Sequence, residues 1–295
     1  MGFNRISFGV QDFDSTVQKA VNRVQSTEQI KQHIIDARKM HFKSINIDLM
    51  YGLPFQSVST FSETLNTIIQ LDPDRIAVYN YAHLPEMFKP QRRINEEDLP
   101  SPEEKLNILK LCIDTLQDAG YVYIGMDHFA KSSDSLVKAQ LDGTLHRNFQ
   151  GYSTHADSDI IAMGITAISN IGDNYSQNVR SIEDYEKSLE QNKIPVFRGI
   201  ELEDDDVMRR EIINQLMCNN RLNIDRLEKK WRIDFKTYFK TSLTNLQAMA
   251  DDGLLNISNS NINITASGRL LARSICMQFD RYLQEKNKSR FSRVI

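Results

Sequence analysis

The sequence predicts an α/β protein, with β/α units first and a mostly helical, winged-helix-like part after them. In the first half, short apolar runs of strand character alternate with amphipathic helical segments, which is typical of a parallel sheet or barrel. After about residue 200 the pattern changes to helices followed by a single hairpin. A chain of 295 residues is long enough for one large domain or two ordinary ones.

The elements of the first half are bounded by recognisable capping residues. Ser26 with Gln29 three residues later is a capping-box pattern, and Ser101 followed by Pro102 starts a helix that Gly120 ends. In chain order the predicted elements are strand Ile6–Val10, helix 26–40, strand 44–52, helix 61–71, strand Asp74–Tyr81, helix 101–120 and strand Tyr121–Ile124.

The second half begins with a helix over 201–219, whose acidic first turn suits the helix dipole. A second helix follows over 235–251. Segment 253–268 then predicts a hairpin with a Ser-Asn-Ser-Asn turn, and a long helix runs from it to about Lys286. Because a polar run precedes all of these elements, we predict two domains, 1–190 and 191–295.

The first ten residues, MGFNRISFGV, have the form in which helices elsewhere in the chain lead into strands, as in MHFKSINIDLM and AGYVYIGM. The first strand would also be an uncovered edge of a parallel sheet, which such sheets avoid. We therefore expect that the chain starts in the middle of a fold.

Composition excludes several classes of protein. The net charge of −3 gives nucleic-acid binding no general support. No stretch approaches the roughly 18 apolar residues of a membrane span, and no signal peptide is visible. Three scattered cysteines without a C-x-x-C pair predict reduced, buried thiols of a cytosolic protein and offer no thiolate cluster for a metal.

Polar residues follow several predicted strands, at the end where parallel β/α folds place their functional groups. Gln11 follows the first strand, and Asp48 lies near the end of the second between apolar neighbours. A carboxylate there needs a partner, which is either a structural salt bridge or a ligand hydroxyl such as a ribose diol. Arg23 is either solvated or turned toward the strand ends, where it could hold a carboxylate.

Segment 145–159, LHRNFQGYSTHADSD, is polar enough to predict a loop that is either exposed or part of a site. His146 and His155 are too far apart in sequence for a typical zinc site. No phosphate-binding loop, dinucleotide fingerprint or nucleophile elbow is present. The small residues of AMGITAISNIG allow either close approach to a ligand or simple packing.

Seven segments and the C-terminus carry a resemblance to a known family: GFNRISFGVQDF, NIDLMYGLP, YNYAHLP, DLPSPEEKL, YIGMDHFA, LHRNFQGYST, GRLLARSICMQFDRYL and FSRVI. In collinear order from residue 2 to 295 they resemble oxygen-independent coproporphyrinogen III oxidase, also called coproporphyrinogen dehydrogenase, a radical S-adenosylmethionine family of haem biosynthesis. The family's C-x-x-x-C-x-x-C loop and its glycine-rich segment are missing. The chain is therefore similar to the C-terminal part, the later units of a partial barrel.

The resemblance implies a reaction and its cofactors. A [4Fe–4S] cluster and S-adenosylmethionine generate a 5′-deoxyadenosyl radical, which leads to decarboxylation of two propionates of coproporphyrinogen III and leaves protoporphyrinogen IX. A second S-adenosylmethionine lies beside the first, and an electron donor and an acceptor take part. The residues that the resemblance assigns to the second S-adenosylmethionine are Gln11, Arg23, Asp48, Ala82 and Ile168, with Phe149 and Gln150 bordering the pocket. The substrate candidates are Arg92, Arg93, His146 and Arg147.

Three interpretations stay open at this point. The first is the radical enzyme of the cytoplasm, with no catalytic residue or metal ligand in this chain and no activity of the chain alone. The second is a cluster-less protein that binds tetrapyrrole or haem without turnover. The third is a nucleic-acid regulator that uses the winged-helix-like part, against which the net charge and the acidic run ELEDDD both count.

Overall fold

A computed structural model describes residues 2–156 and 158–285 of the chain. These residues form two compact units, the first ending at Lys138 and the second beginning at Ala139. The domain boundary predicted between 190 and 191 lies inside the second unit, and that division stays a prediction. The FSRVI segment and the expected helix end at Lys286 lie outside the described residues.

The first unit alternates strands and helices, as predicted. Its strands are β1 (Arg5–Gln11), β2 (Ser44–Tyr51), β3 (Arg75–Asn80), β4 (Tyr121–Gly125) and β5 (His128–Lys131). Its helices are α1 (Ser15–Ala20), α2 (Thr27–Lys39), α3 (Val58–Leu71) and α4 (Pro102–Asp118), and a fifth, α5 (Ser135–Leu141), runs across the boundary into the second unit. The predicted caps are confirmed: Ser26 accepts from the Gln29 amide and Ser101 from the Glu104 amide.

Five strands form one open sheet in the order β1-β2-β3-β5-β4. β1, β2 and β3 are parallel, which confirms the β/α architecture without a closed barrel. Successive side chains of a strand point to opposite faces. On β2 this alternation buries Ile45, Ile47 and Leu49 completely and leaves Asp48 half-buried on the other face.

The fourth predicted strand exists, but it does not pair with β3. Gly125 and Met126 both have positive φ values, 146° and 51°, so the chain turns back sharply after β4. The resulting strand β5, which the sequence patterns did not indicate, pairs antiparallel with both β3 and β4. The GMDH segment is therefore the turn of a hairpin rather than a loop beyond a parallel strand.

The second unit opens with short antiparallel strands. They are β6 (His146–Asn148), β7 (Gly151–Ser153), β8 (Ile168–Ile171), β9 (Asn174–Asn178) and β10 (Val196–Glu201), with helix α6 (Ile182–Glu190) between the last two. β6 and β7 form a hairpin, so the prediction of a loop over 145–159 is wrong for this part of the segment. Strands β8, β9 and β10 form a separate three-stranded sheet.

The rest of the second unit is mostly helical. Its elements are α7 (Asp204–Asn219), β11 (Arg221–Asn223), α8 (Ile224–Trp231), α9 (Phe235–Tyr238), α10 (Lys240–Asp251), β12 (Leu255–Ile257), β13 (Asn261–Ile264), α11 (Ala272–Met277) and α12 (Arg281–Glu285). The predicted wing is confirmed as β12 and β13, to which β11 adds a third strand. The helix expected over 235–251 is divided into α9 and α10.

The long C-terminal helix predicted from the sequence is wrong. A 3₁₀ turn over Gly268–Leu271 precedes α11, and the chain breaks again before α12. Phe279 is completely buried at this break, against the rings of Phe235 and Phe239. The Asp280 carboxylate then accepts hydrogen bonds from the backbone amides of Tyr282 and Leu283, which caps the start of a new helix.

Two further predictions concern membranes and thiols. Among the described residues, no helix is both long and apolar enough to cross a bilayer. Cys112, Cys218 and Cys276 are free and buried, as their apolar surroundings predicted. Burial raises the pKa of the Cys218 and Cys276 thiols to about 12, and it raises the pKa of Cys112 as well.

Candidate functional site

The first candidate site lies on the half-exposed face of the parallel strands; we call Gly9, Gln11, Arg23 and Asp48 the strand-end site. Asp48 accepts hydrogen bonds from the Ser7 hydroxyl at 3.0 Å and from the Asn46 side-chain amide at 2.7 Å. The structural alternative for Asp48 was a salt bridge, and none of the described ion pairs includes it. Two neutral donors hold this carboxylate in place, and no described cation forms an ion pair with it.

Arg23 turns toward the strand end, which the sequence left open. Its guanidinium donates to the Gly9 carbonyl oxygen at 2.6 Å, and Gly9 is the register partner of Asp48 on the neighbouring strand. A Cβ on Gly9 would lie 3.0 Å from Gln11 Nε2 and 3.1 Å from Arg23 Nη2. Because Gly9 has no side chain, the polar ends of Gln11 and Arg23 can both lie against it, next to Asp48 on the neighbouring strand.

Gln11 has two unusual features. Its φ is 72°, and the pairing of β1 with β2 is irregular between Gly9 and Gln11. Its Oε1 is buried and has no hydrogen-bond partner among the residues that the structure describes, which costs free energy unless a ligand donates to it. The irregularity therefore lies beside the strand-end site, where bulges are common next to active sites, and the Gln11 side-chain amide lies next to Gly9.

The buried carboxylate that directly follows Gln11 fixes the end of β1. Asp12 is 1% exposed and accepts from the Thr64 hydroxyl at 2.6 Å, from the side-chain amide of Gln56 and from the Asp14 backbone amide. Gln56 also donates to the Met50 carbonyl oxygen near the end of β2. Asp12 thus ties the ends of two strands together and positions the site without belonging to it.

The loop after β3 carries three more of the predicted residues. Ala82 is exposed, and its carbonyl oxygen accepts from the Gln91 side chain at 3.0 Å. Arg92 and Arg93 lie in an exposed 3₁₀ turn, and Arg92 donates to the Pro85 carbonyl oxygen. Hydrogen bonds between its own residues therefore hold the loop, and both arginines are exposed on its surface.

Lys105 is a cation that the sequence pattern did not reveal. It lies in the first turn of α4, and its Cε and Nζ would be 2.9 and 3.3 Å from a Cβ on Gly52, just after β2. Burial lowers the pKa of Lys105. Only the packing of α4 on β2 brings this ammonium group to the strand end, so no local pattern could have identified it.

The second candidate site is a cavity of about 400 Å³ that lies within the second unit. We call it the hairpin cavity; its walls include Arg147, Phe149, Asn170, Tyr175, Arg210 and Asn214. Two of the predicted substrate candidates, His146 and Arg147, line it together with Phe149. Gln150 is exposed at the turn of the β6–β7 hairpin, and Ile168 is half-buried at the start of β8.

Helix α7 supplies the part of the cavity that sequence reasoning missed. Arg210 pairs with Asp173 at 2.8 Å and donates to the Tyr175 hydroxyl at 3.4 Å. Burial would lower the pKa of Arg210, but these two partners outweigh burial and raise it. One turn later, the Asn214 side chain accepts from the Arg147 backbone amide at 3.3 Å. Asn214 follows Arg210 by one helical turn, so the two side chains share a face of α7, and this spacing is the signal by which the sequence could have revealed them.

No described group of three or more His, Cys, Asp or Glu side chains could hold a metal ion. The three cysteines lie on three different helices, α4, α7 and α11. Thiolate ligands of an iron–sulfur cluster must converge on one point. The residues that the structure describes therefore do not fit such a cluster.

Comparisons with known proteins agree with the fold. The family model described as the HemN C-terminal domain matches residues 202–271. A solved structure, "Coproporphyrinogen III oxidase (HemN) from Escherichia coli is a Radical SAM enzyme", superposes with a TM-score of 0.93 at 48% identity. The match covers 95% of this chain and 65% of that one.

Curated relatives match along the whole chain. The oxygen-independent coproporphyrinogen III oxidase of Pseudomonas aeruginosa is 52% identical over 295 residues, and this chain spans 64% of its length. The protein of the same name from Thermostichus vulcanus is 45% identical, and there the match covers 91% of the relative. With this identity over nearly the full length of one relative, the chain belongs to the oxygen-independent coproporphyrinogen III oxidase family.

Proposed function

We propose that this chain takes part in the oxidative decarboxylation of two propionates of coproporphyrinogen III to the vinyl groups of protoporphyrinogen IX, in the cytoplasm. The names of its relatives support this enzymatic interpretation over tetrapyrrole binding without turnover. Coproporphyrinogen III, an electron donor and an electron acceptor are the partners that the proposal implies.

The observation that carries the proposal is the Asp48 carboxylate, which neutral donors hold beside Gly9, with the Arg23 guanidinium bonded to that glycine. These groups fit S-adenosylmethionine. A carboxylate accepts from the two ribose hydroxyls, and a guanidinium fork pairs with the methionine carboxylate. The unsatisfied Oε1 of Gln11 fits an amino or hydroxyl donor of the same ligand.

The remaining assignments follow the resemblance. Ala82 would allow close approach of the ligand, and Ile168 would supply apolar contact. Phe149 and Gln150 would border the same pocket. Ile168, Phe149 and Gln150 belong to the second unit, and their approach to the ligand stays a prediction.

When bound and supplied with an electron by the donor, S-adenosylmethionine would supply the one-electron chemistry, as cofactors do for reactions beyond the reach of side chains. The residues of this chain would bind and orient the second S-adenosylmethionine: Asp48 would fix the ribose and Arg23 would hold the carboxylate end, while Asp12 keeps the strand ends in register. The described residues do not fit the iron–sulfur cluster, so no step through it is assigned to this chain.

The first test is titration of S-adenosylmethionine into the 295-residue chain by calorimetry. Asp48→Asn removes a charge-assisted acceptor worth roughly 1.5–3 kcal/mol, so we expect affinity to fall about ten- to a hundredfold. Arg23→Lys keeps the charge but loses the fork and should weaken binding less. Asp114→Asn and Arg5→Lys, at exposed positions outside the site, are the matched controls.

Folding and ligand placement are separated by thermal unfolding of the same variants. Both site variants should melt within a few degrees of the parent, because Asp48 and Arg23 lie on a partly exposed face. If Asp48→Asn unfolds the chain, its role is structural. Equal S-adenosylmethionine affinity in all variants would remove the strand-end site from the proposal.

Activity is tested in a chimera that joins the preceding segment of the Pseudomonas aeruginosa relative to this chain. Anaerobic turnover of coproporphyrinogen III should be detectable and should fall with Asp48→Asn in parallel with S-adenosylmethionine affinity. A chimera that binds S-adenosylmethionine and coproporphyrinogen but never forms protoporphyrinogen would favour the non-enzymatic alternative.

A further inference from the structure

Positive charge is concentrated in one segment of the second unit. Residues 224–240 span α8, α9 and the first residue of α10. They contain six Lys and Arg residues and three Asp and Glu residues, a net charge of +3 in a chain whose net charge is −3. All six cationic side chains are exposed, and we call them the basic face: Arg226, Lys229, Lys230, Arg232, Lys236 and Lys240.

The fold itself uses few of these cations. Lys230 pairs with Glu211 at 2.7 Å, and none of the other five takes part in an ion pair within the described part of the chain. The helix dipole favours Lys229 and Lys230 in the last turn of α8. It disfavours Lys240, which is the first residue of α10. Stability of the helices therefore does not account for the basic face as a whole.

The carboxylates of the same segment have structural roles. Glu228 accepts a hydrogen bond from the Phe235 backbone amide at 2.8 Å, and Asp234 caps α9 by accepting from the Thr237 amide at 2.8 Å. Asp225 lies in the first turn of α8, where the helix dipole favours an acid. The three acids thus stabilise the starts of helices, whereas the cations are available to a ligand.

The helices that carry the basic face follow one another as in a helix-turn-helix. Three residues, 232–234, join α8 to α9, which is a typical length for that motif. The β12–β13 hairpin follows as a wing, and Lys236 donates to Asn259 in its turn at 2.9 Å. In helix-turn-helix proteins the start of the second helix enters the major groove of DNA while the first helix crosses the backbone. Lys236 and Lys240 lie at the start of this second helix.

The composition of the face favours a nucleic acid over a protein. Within 224–240, all of which the structure describes, the one exposed large apolar residue is Tyr238, and its hydroxyl donates to Asp205 on α7. Protein interfaces concentrate aromatic and apolar side chains at their centre. A phosphate backbone is bound instead by cations and hydrogen-bonding side chains, and the exposed residues that follow Lys240 on α10 begin with Thr241 and Thr244.

The shape of the groove distinguishes DNA from RNA. The major groove of B-form DNA admits an α-helix, but that of A-form RNA is too deep and narrow for side chains to read. We propose that the basic face binds double-stranded DNA through its phosphates and without reading its sequence, with the start of α9 and α10 at the major groove. The cations of α8 then contact the flanking phosphates. This binding requires neither S-adenosylmethionine nor a tetrapyrrole, so it is independent of the proposed function.

The acidic run that counts against nucleic-acid binding lies on the other side of α9. Asp205 pairs with Arg209 at 2.8 Å and with Arg281 at 3.2 Å, and it accepts from Tyr238. Tyr238 is two residues from Lys236, which is about half a turn of an α-helix. The Asp205 carboxylate is therefore compensated by cations and is turned away from Lys236.

The test is fluorescence anisotropy of a labelled DNA duplex of about 20 base pairs, two helical turns, titrated with the 295-residue chain. About four phosphate contacts predict that affinity falls roughly a hundredfold between about 50 and 200 mM salt. The double variant Lys236→Gln/Lys240→Gln should bind about tenfold more weakly at the lower salt concentration, with a log–log salt slope reduced by about two. The matched control, Lys187→Gln/Lys193→Gln, removes two exposed charges of α6 and the loop after it and should bind like the parent.

Three further probes identify the partner. An unrelated DNA sequence should bind equally, whereas an RNA duplex of the same length and poly-L-glutamate should bind about tenfold more weakly or less still. Both double variants should melt within a few degrees of the parent, because the substituted lysines are exposed and form no described ion pair. Their affinity for S-adenosylmethionine should equal the parent's, which separates this face from the strand-end site.

Three results would overturn DNA binding at this face. They are a parent that does not bind DNA at about 50 mM salt, equal binding by Lys236→Gln/Lys240→Gln, and an equal loss in the control variant. Poly-L-glutamate that binds as tightly as DNA would overturn it as well and would identify an acidic protein as the partner. Equally tight binding of the RNA duplex would overturn the placement at the major groove.

Discussion

The two compact units position their polar side chains by different means. In the first unit, parallel strands align the strand-end site, and the buried Asp12 carboxylate beside this site is enclosed by donors. In the second unit, the groups around the hairpin cavity come from a short hairpin, a small sheet and helix α7. Its carboxylates Glu203, Asp205 and Asp206 share a partly exposed network with Arg281.

This difference has a physical consequence. Parallel strands fix the direction of every second side chain through the backbone, so a site on them depends on register. A site assembled from separate short elements depends instead on the packing that brings those elements together. Substitutions in the framework of the second unit should therefore affect stability more, and substitutions beside the strand-end site should affect ligand binding more.

The largest effect that we expect is a difference in stability between alanine substitutions at two glycines, Gly268 and Gly9. A Cβ on Gly268 would overlap the Leu254 carbonyl oxygen, which is backbone and cannot move aside. A Cβ on Gly9 would meet only the far ends of the Gln11 and Arg23 side chains. Gly268→Ala should cost about 3 kcal/mol or more, whereas Gly9→Ala should cost less than about 1 kcal/mol and mainly weaken S-adenosylmethionine binding.

Denaturant unfolding measures the first of these costs. Trp231 is the single tryptophan of the chain and lies in the second unit, so its fluorescence follows the unit that contains Gly268. Calorimetry with S-adenosylmethionine measures the effect of Gly9→Ala. If Gly9→Ala destabilises the chain as much as Gly268→Ala does, the contrast between framework and site is wrong.

The second prediction concerns the buried carboxylate of the first unit. Asp12→Ala leaves the Thr64 hydroxyl, the Gln56 amide and one backbone amide without their acceptor, so unfolding should become easier by about 2–3 kcal/mol. Asp14→Ala, two residues away, removes only the N-cap of α1 and should cost about 1 kcal/mol. Chemical denaturation followed by circular dichroism compares them, and equal costs would refute the positioning role of Asp12.

The smallest expected effect is a pH-dependent change in stability that comes from a carboxylate of the second unit. Burial would raise the pKa of Asp205, but hydrogen bonds from Arg209 and Tyr238 outweigh burial and lower it. A carboxyl with a depressed folded-state pKa stabilises the fold above its unfolded value, near 3.9, and loses that contribution as pH falls through the folded pKa. Asp205→Asn should therefore cost under about 1 kcal/mol at pH 7.

The same variant should also flatten the loss of stability between about pH 4 and pH 2. Asp204→Asn, one residue earlier and exposed, is the control, because it removes the same single negative charge. Thermal unfolding across this pH range distinguishes the two variants. Parallel pH profiles for Asp205→Asn and the parent would show that the network does not hold this carboxylate.

Much of the first unit could be predicted because its signals are local. Ser26 and Ser101 cap their helices as expected, and the apolar alternation around Asp48 marks β2. The Ser7 partner of Asp48 could not be predicted, because Ser7 lies on another strand and meets Asp48 only through the register of β1 and β2. The same holds for Lys105, which reaches Gly52 from a helix.

The second unit shows why other elements escaped prediction. Every residue of β10 is exposed, so this strand has no apolar alternation to detect. The hairpin of β6 and β7 has three residues in each strand, too few for a periodic signal. The break before α12 depends on the burial of Phe279 in a core of distant aromatic rings, and a helical pattern alone does not reveal it.

The reaction of the three buried thiols with an alkylating agent reports how often the structure around each of them opens. Only the thiolate reacts with an alkylating agent, and Cys112, Cys218 and Cys276 have raised pKa values and no access to water while their helices stay packed. Each thiol is then labelled at the rate at which its surroundings open. Cys112 lies in the first unit and the other two cysteines lie in the second. Pulse alkylation followed by mass spectrometry would therefore measure the rate of local opening in each unit separately, without any mutation or added probe.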